Sequence, residues 1–219
     1  MNPVVAGFLV RIVLAVSLRS TGASPVAAVL VTETRVRALS VQSSFLQPIC
    51  VLRECPMRVH VESLLPCDVE RVWAEVQKCA LLREVAWPVV VFRPATGETL
   101  PERWIAGMIV RCRSHLFGLI PLGTRTLYFN RVDAQFMEID TQEHDRLVRR
   151  WDHLIRARPA AGGKCKYTDD IEINAGWLTP AVWLFAYLFY RHRQRRWRAV
   201  AKRMQAGDYG GVSALEGPR

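Results

Sequence analysis

From Met57 onward, apolar and polar positions follow regular periods. Arg58-Val59-His60-Val61-Glu62-Ser63-Leu64-Leu65 alternates with the two-residue period of a half-buried strand. Pro66-Cys67-Asp68 breaks it. Asp68 stands where it can cap a helix whose Val69, Val72, Trp73 and Val76 share one face. The spacing predicts a second short helix near Ala80–Val85, closed before Pro88 because a residue ahead of proline avoids helical backbone. Strand-like stretches follow at Val89–Arg93, Arg103–Arg113, Arg125–Asp133, Gln135–Thr141, Leu147–Ala157 and Cys165–Asn174. The breaks fall at Pro94 to Gly97, Gly118 to Gly123, Gln142 to Arg146 and Pro159 to Gly163. Connections this short between successive strands predict an antiparallel meander.

The period then changes to that of a helix. Thr179-Pro180 reads as a helix start, with Thr as N-cap and Pro at the first helical position. Neither Gly nor Pro recurs before Gly207, so the helix is expected to reach about Met204. At 1.5 Å per residue that is roughly 38 Å. The order of strand, two short helices, strands and long helix predicts an α+β domain. Its architecture is a curved antiparallel sheet wrapped around a long C-terminal helix, with two short helices near the domain's N-terminus. A sheet curved over one helix leaves a space lined by inward side chains, a natural apolar pocket.

Residues 1–56 lack such a period. Pro3 to Leu18 is nearly all apolar but is interrupted by Arg11, and it is shorter than the ~20 residues of a spanning helix. No positive charge precedes it, as a signal peptide would require. The organisation expected is a poorly structured extension over 1–56, a folded domain over 57–204 and a disordered tail over 205–219. Met57 is read as the native start, with a poor membrane anchor or export signal as the alternative.

Half of the residues are apolar, enough for a sizeable core. The formal net charge is +10. From Met57 on, 25 basic residues face 18 acidic ones, and the 7 basic residues between Pro180 and Gln205, with no acidic one among them, carry that whole excess. The basic stretch suits either a solvated helix C-terminus or an acidic partner. It carries no nucleic-acid-binding signature, so no specific nucleic acid is expected. The six cysteines form no CxxC pair and no zinc-like cluster with histidine. A chain with a core of its own does not need a disulfide framework, so reduced thiols and a cytoplasmic location are expected, with peripheral membrane association left open. No metal or cofactor is expected. There is no phosphate loop and no nucleophile elbow.

Several stretches resemble the START-like helix-grip superfamily, also called SRPBCC. They are Pro66-Cys67-Asp68-Val69-Glu70-Arg71-Val72-Trp73, Trp151-Asp152-His153, Tyr167-Thr168-Asp169-Asp170-Ile171-Glu172-Ile173, Ala175-Gly176-Trp177-Leu178-Thr179 and Tyr190-Arg191-His192-Arg193-Gln194-Arg195-Arg196-Trp197. The resemblance covers Met57 to about Met204 and is similar to the pattern of small bacterial members. That superfamily includes polyketide cyclase/aromatase domains, plant pathogenesis-related proteins, lipid-transfer domains and coenzyme Q-binding proteins. The resemblance implies a cavity for an apolar ligand. It does not imply catalysis, since binders and enzymes share the fold.

By the two-residue period, Trp151, His153 and Ile155 share one strand face, and Tyr167, Asp169, Ile171 and Ile173 share another. Val182, Phe185, Ala186 and Phe189 share a helix face. If all three faces point inward, they line the ligand site, with His153, Tyr167 and Asp169 as its polar groups. The leading reading is a carrier or binder of a lipid, quinone or polyketide-like aromatic. The alternative is a cyclase or dehydratase in which His153 acts as acid and base, assisted by Asp169 or Tyr167. A third reading docks the long helix on an anionic membrane or a protein partner through Arg191, Arg195, Arg196 and Trp197.

Overall fold

The computed structural model describes residues 55–210. The expectations for the extension up to residue 54 and for the tail from 211 lie outside the described residues. Among the described residues, ten elements precede the last helix: strand β1 (Met57–Leu65), helices α1 (Val69–Val76) and α2 (Cys79–Ala86), strands β2 (Val90–Pro94), β3 (Ile109–Leu116), β4 (Ile120–Asp133), β5 (Glu138–His144), β6 (Arg150–Ala160) and β7 (Lys164–Asn174), and a 3₁₀ turn at Gly176–Leu178. Helix α3 (Thr179–Ala206) closes the series.

The seven strands form one antiparallel sheet in the order β1-β7-β6-β5-β4-β3-β2. Every neighbouring pair except β1–β7 is consecutive in sequence, which is the predicted meander. β1 adds to β7 and so brings the start of the domain beside its end. Alternation decides which side chains face the helix. In β6, Trp151, His153, Ile155 and Ala157 are buried while the residues between them are half-exposed. β7, one strand in from the sheet edge, is buried on both faces over 167–171: Asp169 points inward, and Asp170 accepts from Arg58 and Arg156 on the outer face.

The Asp68 carboxylate caps α1, accepting from the Arg71 backbone N–H at 2.8 Å. At the start of α3 the local chemistry differs from expectation. Thr179 is the first helical residue rather than the cap, and its hydroxyl accepts from Ala175 N–H (2.9 Å) and donates to the Gly176 carbonyl (2.7 Å). It thereby locks the turn between β7 and α3. Gly207, with φ of 80°, ends the helix two residues beyond the expected Met204.

Three predicted boundaries move for physical reasons. The strand expected over 103–113 begins only at Ile109. Before it, Trp104 turns inward and stacks on Phe129 with ring centroids 4.7 Å apart, and Gly107 turns at φ 81°. The break expected from Gly118 to Gly123 shrinks to the turn at 117–119, where Phe117 and Gly118 both have positive φ. The edges of β5 and β6 extend through Gln142–His144 and Pro159–Ala160, which pair in the ladder despite their polar or proline character.

Helix α3 lies across the sheet on the β1 side, flanked by the two short helices. Arg71 donates to the Met204 carbonyl from α1, while Arg196 reaches the Glu84 carbonyl and Arg203 pairs with the Glu84 carboxylate at α2. The far half of the sheet, from β3 to β6, curves away from α3 and leaves a space beneath it.

Candidate functional site

That space is a cavity of about 90 Å³ for the centres of water-sized molecules. α2 supplies Leu81, Leu82 and Val85 to its wall, and β4 supplies Leu127 and Phe129. α3 supplies Phe185, Phe189, Tyr190, Arg193, Gln194 and Trp197. Burial of one apolar stripe per helix and one face per strand places these side chains together; none of them is close to the others in sequence across elements.

A polar network runs through this apolar shell, and register explains it. His153 lies opposite Thr141 on β5 and opposite Ile171 on β7. Asp169, two residues along β7, is therefore a diagonal neighbour, and its Oδ1 sits 2.9 Å from His153 Nε2. On the other diagonal, Glu143 Oε1 is 3.9 Å from His153 Nδ1. The Tyr190 hydroxyl lies 3.3 Å from the same Nδ1 and accepts from Trp151 Nε1 at 3.3 Å. Gln194 donates to Asp169 Oδ2 (3.0 Å) and to the Val61 carbonyl (2.7 Å), and accepts from Ser63 Oγ (2.8 Å). Arg125, at the rim, pairs with Glu143 (3.3 Å) and Asp145 (2.9 Å) and covers the Trp151 ring.

Electrostatics follow from this packing. Asp169 has no solvent exposure, and burial alone would raise its pKa. The Arg193 charge, the His153 bond and the Gln194 bond outweigh burial and hold the carboxyl below its ordinary range. Burial pushes the Tyr167 and Tyr190 hydroxyls up, so both remain neutral donors. Burial opposes the charge on Arg193, but Asp169 and the tyrosines outweigh it and the guanidinium stays protonated.

Of the ligand-site residues expected from sequence, Trp151, His153, Ile155, Tyr167, Phe185 and Phe189 lie on the cavity wall. Ile171 and Ile173 face inward but pack away from the cavity, as does Ala186. Val182 is half-buried and also lies off the wall. His153 and Asp169 meet directly, whereas the Tyr167 ring stands edge-on to Trp197 at 6.1 Å. Trp197 requires correction as a docking residue: it is 2 % exposed and lines the cavity, because it falls on the stripe of Phe189 and Arg193 at four-residue spacing. Arg196 is engaged with α2 and stacks over Trp87 at 5.4 Å. Only Arg191 and Arg195 of that set face solvent, and Arg191 donates to the Tyr187 hydroxyl.

Sequence reasoning missed Tyr190, Arg193 and Gln194. The positions 186, 189, 190, 193, 194 and 197 form one helical stripe, and following it past Phe189 would have placed both polar residues inside. Arg125, Glu143 and Trp104 gave no comparable signal, since nothing local tells which strand face meets the helix.

Residues 63–201 match the model of a family described as Domain of unknown function (DUF8410). No curated protein matches the chain. Among solved structures, the protein CV1439 from Chromobacterium violaceum is similar with a TM-score of 0.54 at 13% identity, over 66% of this chain and 96% of its own. Ara h 8.0201 is similar with a TM-score of 0.51 at 10% identity, over 68% of this chain and 99% of its own. At such identities the likeness is one of fold: the Bet v 1-like helix-grip arrangement of a curved antiparallel sheet and a long C-terminal helix. Among the described residues, no helix is long and apolar enough to cross a membrane.

Proposed function

The chain belongs to the DUF8410 family, and we propose that it is a binding domain for a compact apolar molecule held between sheet and long helix. The observation that carries this reading is the cavity of about 90 Å³, walled mainly by Leu, Val, Phe and Trp side chains. At 10–15 Å³ per water centre it has room for roughly six to nine waters, or on the order of 200 Å³ of liquid. That is the size of a two-ring aromatic rather than of a whole diacyl lipid. A ligand burying ~200 Å² of carbon there gains about 5 kcal/mol before the costs of immobilisation.

Binding is favoured over acid–base catalysis by the state of the imidazole. His153 Nε2 faces Asp169 and Nδ1 faces Tyr190, so both ring nitrogens are engaged within the protein. A buried polar network closed on itself in this way orients the wall and stabilises the fold. A general base needs a nitrogen directed at its substrate.

Titration of the full chain with the neutral fluorophore N-phenyl-1-naphthylamine tests the proposal. Saturable binding at one site is expected, with blue-shifted emission. Ser114 lies on the wall and is 6 % exposed, so Ser114→Phe projects a ring into the space. The variant is expected to lose binding while keeping its circular dichroism spectrum. Absence of saturable binding, or unchanged binding in the folded variant, overturns the reading.

A further inference from the structure

The cavity wall carries a buried arginine with no hydrogen-bond partner. Arg193 is 8 % exposed, and its Nε has no hydrogen-bond partner. Its guanidinium makes no hydrogen bond or ion pair among the described residues. It is held instead by ring faces, 4.9 Å from the Tyr190 centroid and 5.9 Å from that of Phe189. Asp169 lies close enough to act on it electrostatically, but its oxygens are turned to His153 and Gln194 and form no hydrogen bond with the guanidinium. One turn further on, Trp197 Nε1 is likewise buried on the cavity wall without a partner. Guanidinium and indole nitrogens only donate. Buried donors are nearly always satisfied, so two unpaired pure donors on one cavity wall ask for an acceptor from the cavity's contents.

We infer that the ligand is a monocarboxylic acid, seated with its apolar body against α2 and β4 and its carboxylate on Arg193. This inference rests on the binding function proposed above and names the ligand class. A carboxylate matches the planar fork of a guanidinium with two parallel hydrogen bonds. The wall also limits the charge. Glu143, Asp145 and Asp169 already supply three carboxylates against the two guanidiniums of Arg125 and Arg193. Arg125 is consumed by Glu143 and Asp145, which leaves Arg193 as the cation for the ligand and Asp169 to repel a second negative charge. A phosphate dianion is therefore disfavoured.

The test compares 2-naphthoate with its neutral isostere 2-naphthamide on the full chain by calorimetry, with nitrogen-15 NMR of the arginine Nε–H groups on the same samples. 2-Naphthoate is expected to bind at least tenfold more tightly, and to shift the Arg193 Nε–H resonance where 2-naphthamide does not. Arg193→Met is expected to erase the preference. Because that variant leaves Asp169 without its nearby cation and can unfold, the resonance in the unaltered protein decides independently. Equal binding of the two compounds overturns the carboxylate assignment and leaves the binding function standing. So does a preference for 2-naphthoate with the Arg193 resonance unmoved, which would place the acid on the exposed basic helix end. Binding of N-phenyl-1-naphthylamine with neither naphthalene compound also overturns the assignment alone. If none of the three binds, the binding function itself fails.

Discussion

Gln194→Leu should destabilise the domain by about 2 kcal/mol near neutral pH. Gln194 is 2 % exposed and ties α3 to two strands through three hydrogen bonds. The bond to the Asp169 carboxylate is of the kind worth ~1.5–3 kcal/mol, and the bond to the Val61 carbonyl of the kind worth ~0.5–1.5 kcal/mol. The half-buried Ser63 hydroxyl can turn to water and adds little. Leucine has nearly the volume of glutamine, so no cavity opens, and its apolar burial returns roughly 1.5 kcal/mol. Urea unfolding followed by tryptophan fluorescence reads the difference. With a slope of ~2 kcal/mol/M the midpoint should fall by about 1 M.

A pH series makes the test specific. Asp169 has a depressed pKa in the folded state, so its contribution is complete above the unfolded carboxyl range and is lost as pH falls through the depressed value. Gln194 is one of the groups holding that pKa down. The gap between the two proteins should therefore be full near neutrality and narrow below about pH 4, where the unaltered protein loses the same stabilisation. A gap that stays constant through that range, or a variant as stable as the unaltered protein, refutes the account of Gln194 as the link between α3 and the buried carboxylate.

Three further outcomes are expected. Asp68→Ala removes the side-chain cap of α1 and should cost about 1 kcal/mol, read by calorimetry as a fall in Tm of roughly 2–4 °C. Arg58 makes the leading contribution to holding Asp170 below the ordinary carboxylate range, so Arg58→Gln should move the Asp170 carboxyl resonance to a higher titration midpoint. The domain would then lose stability at a higher pH on acidification than the unaltered protein does. Burial pushes the Cys79 and Cys165 thiols up to about 11 and the Cys112 thiol up to about 12, while Cys55 is exposed. Iodoacetamide at pH 8 should label Cys55 and spare the other three until the chain unfolds, as peptide mapping would show.

Local chemistry made much of the fold legible. The Asp68 cap, the apolar spacing of Val69, Val72, Trp73 and Val76, and the Thr179-Pro180 start of the long helix are settled within a few residues of chain, and sequence reads such short-range preferences directly. Strand alternation was likewise readable, so the residues sharing one face of β6 and one face of β7 could be named. Errors gathered where tertiary packing competes with local preference. Gly123 and Pro159 are held in ladders by their neighbours, and Trp104 leaves a strand-like stretch to stack on Phe129.

The amino-acid sequence by itself determined the element order, the antiparallel meander, the helix that closes it and which residues share a strand face, His153 with Trp151 and Ile155, and Tyr167 with Asp169. These depend on periods of two and 3.6 residues, which the chain carries locally. Only the tertiary structure decided that His153 meets Asp169 across a strand pair, that the stripe on α3 continues through Tyr190, Arg193, Gln194 and Trp197, and that the Arg193 guanidinium is buried without a partner. The reason is physical: strand register, the angle at which α3 crosses the sheet and the width of the space left beneath it come from packing among residues far apart in sequence, such as Ser63 and Gln194, separated by 131 positions. In sequence an arginine among arginines looks solvated; its position on the buried side of a packed helix makes it part of a cavity wall.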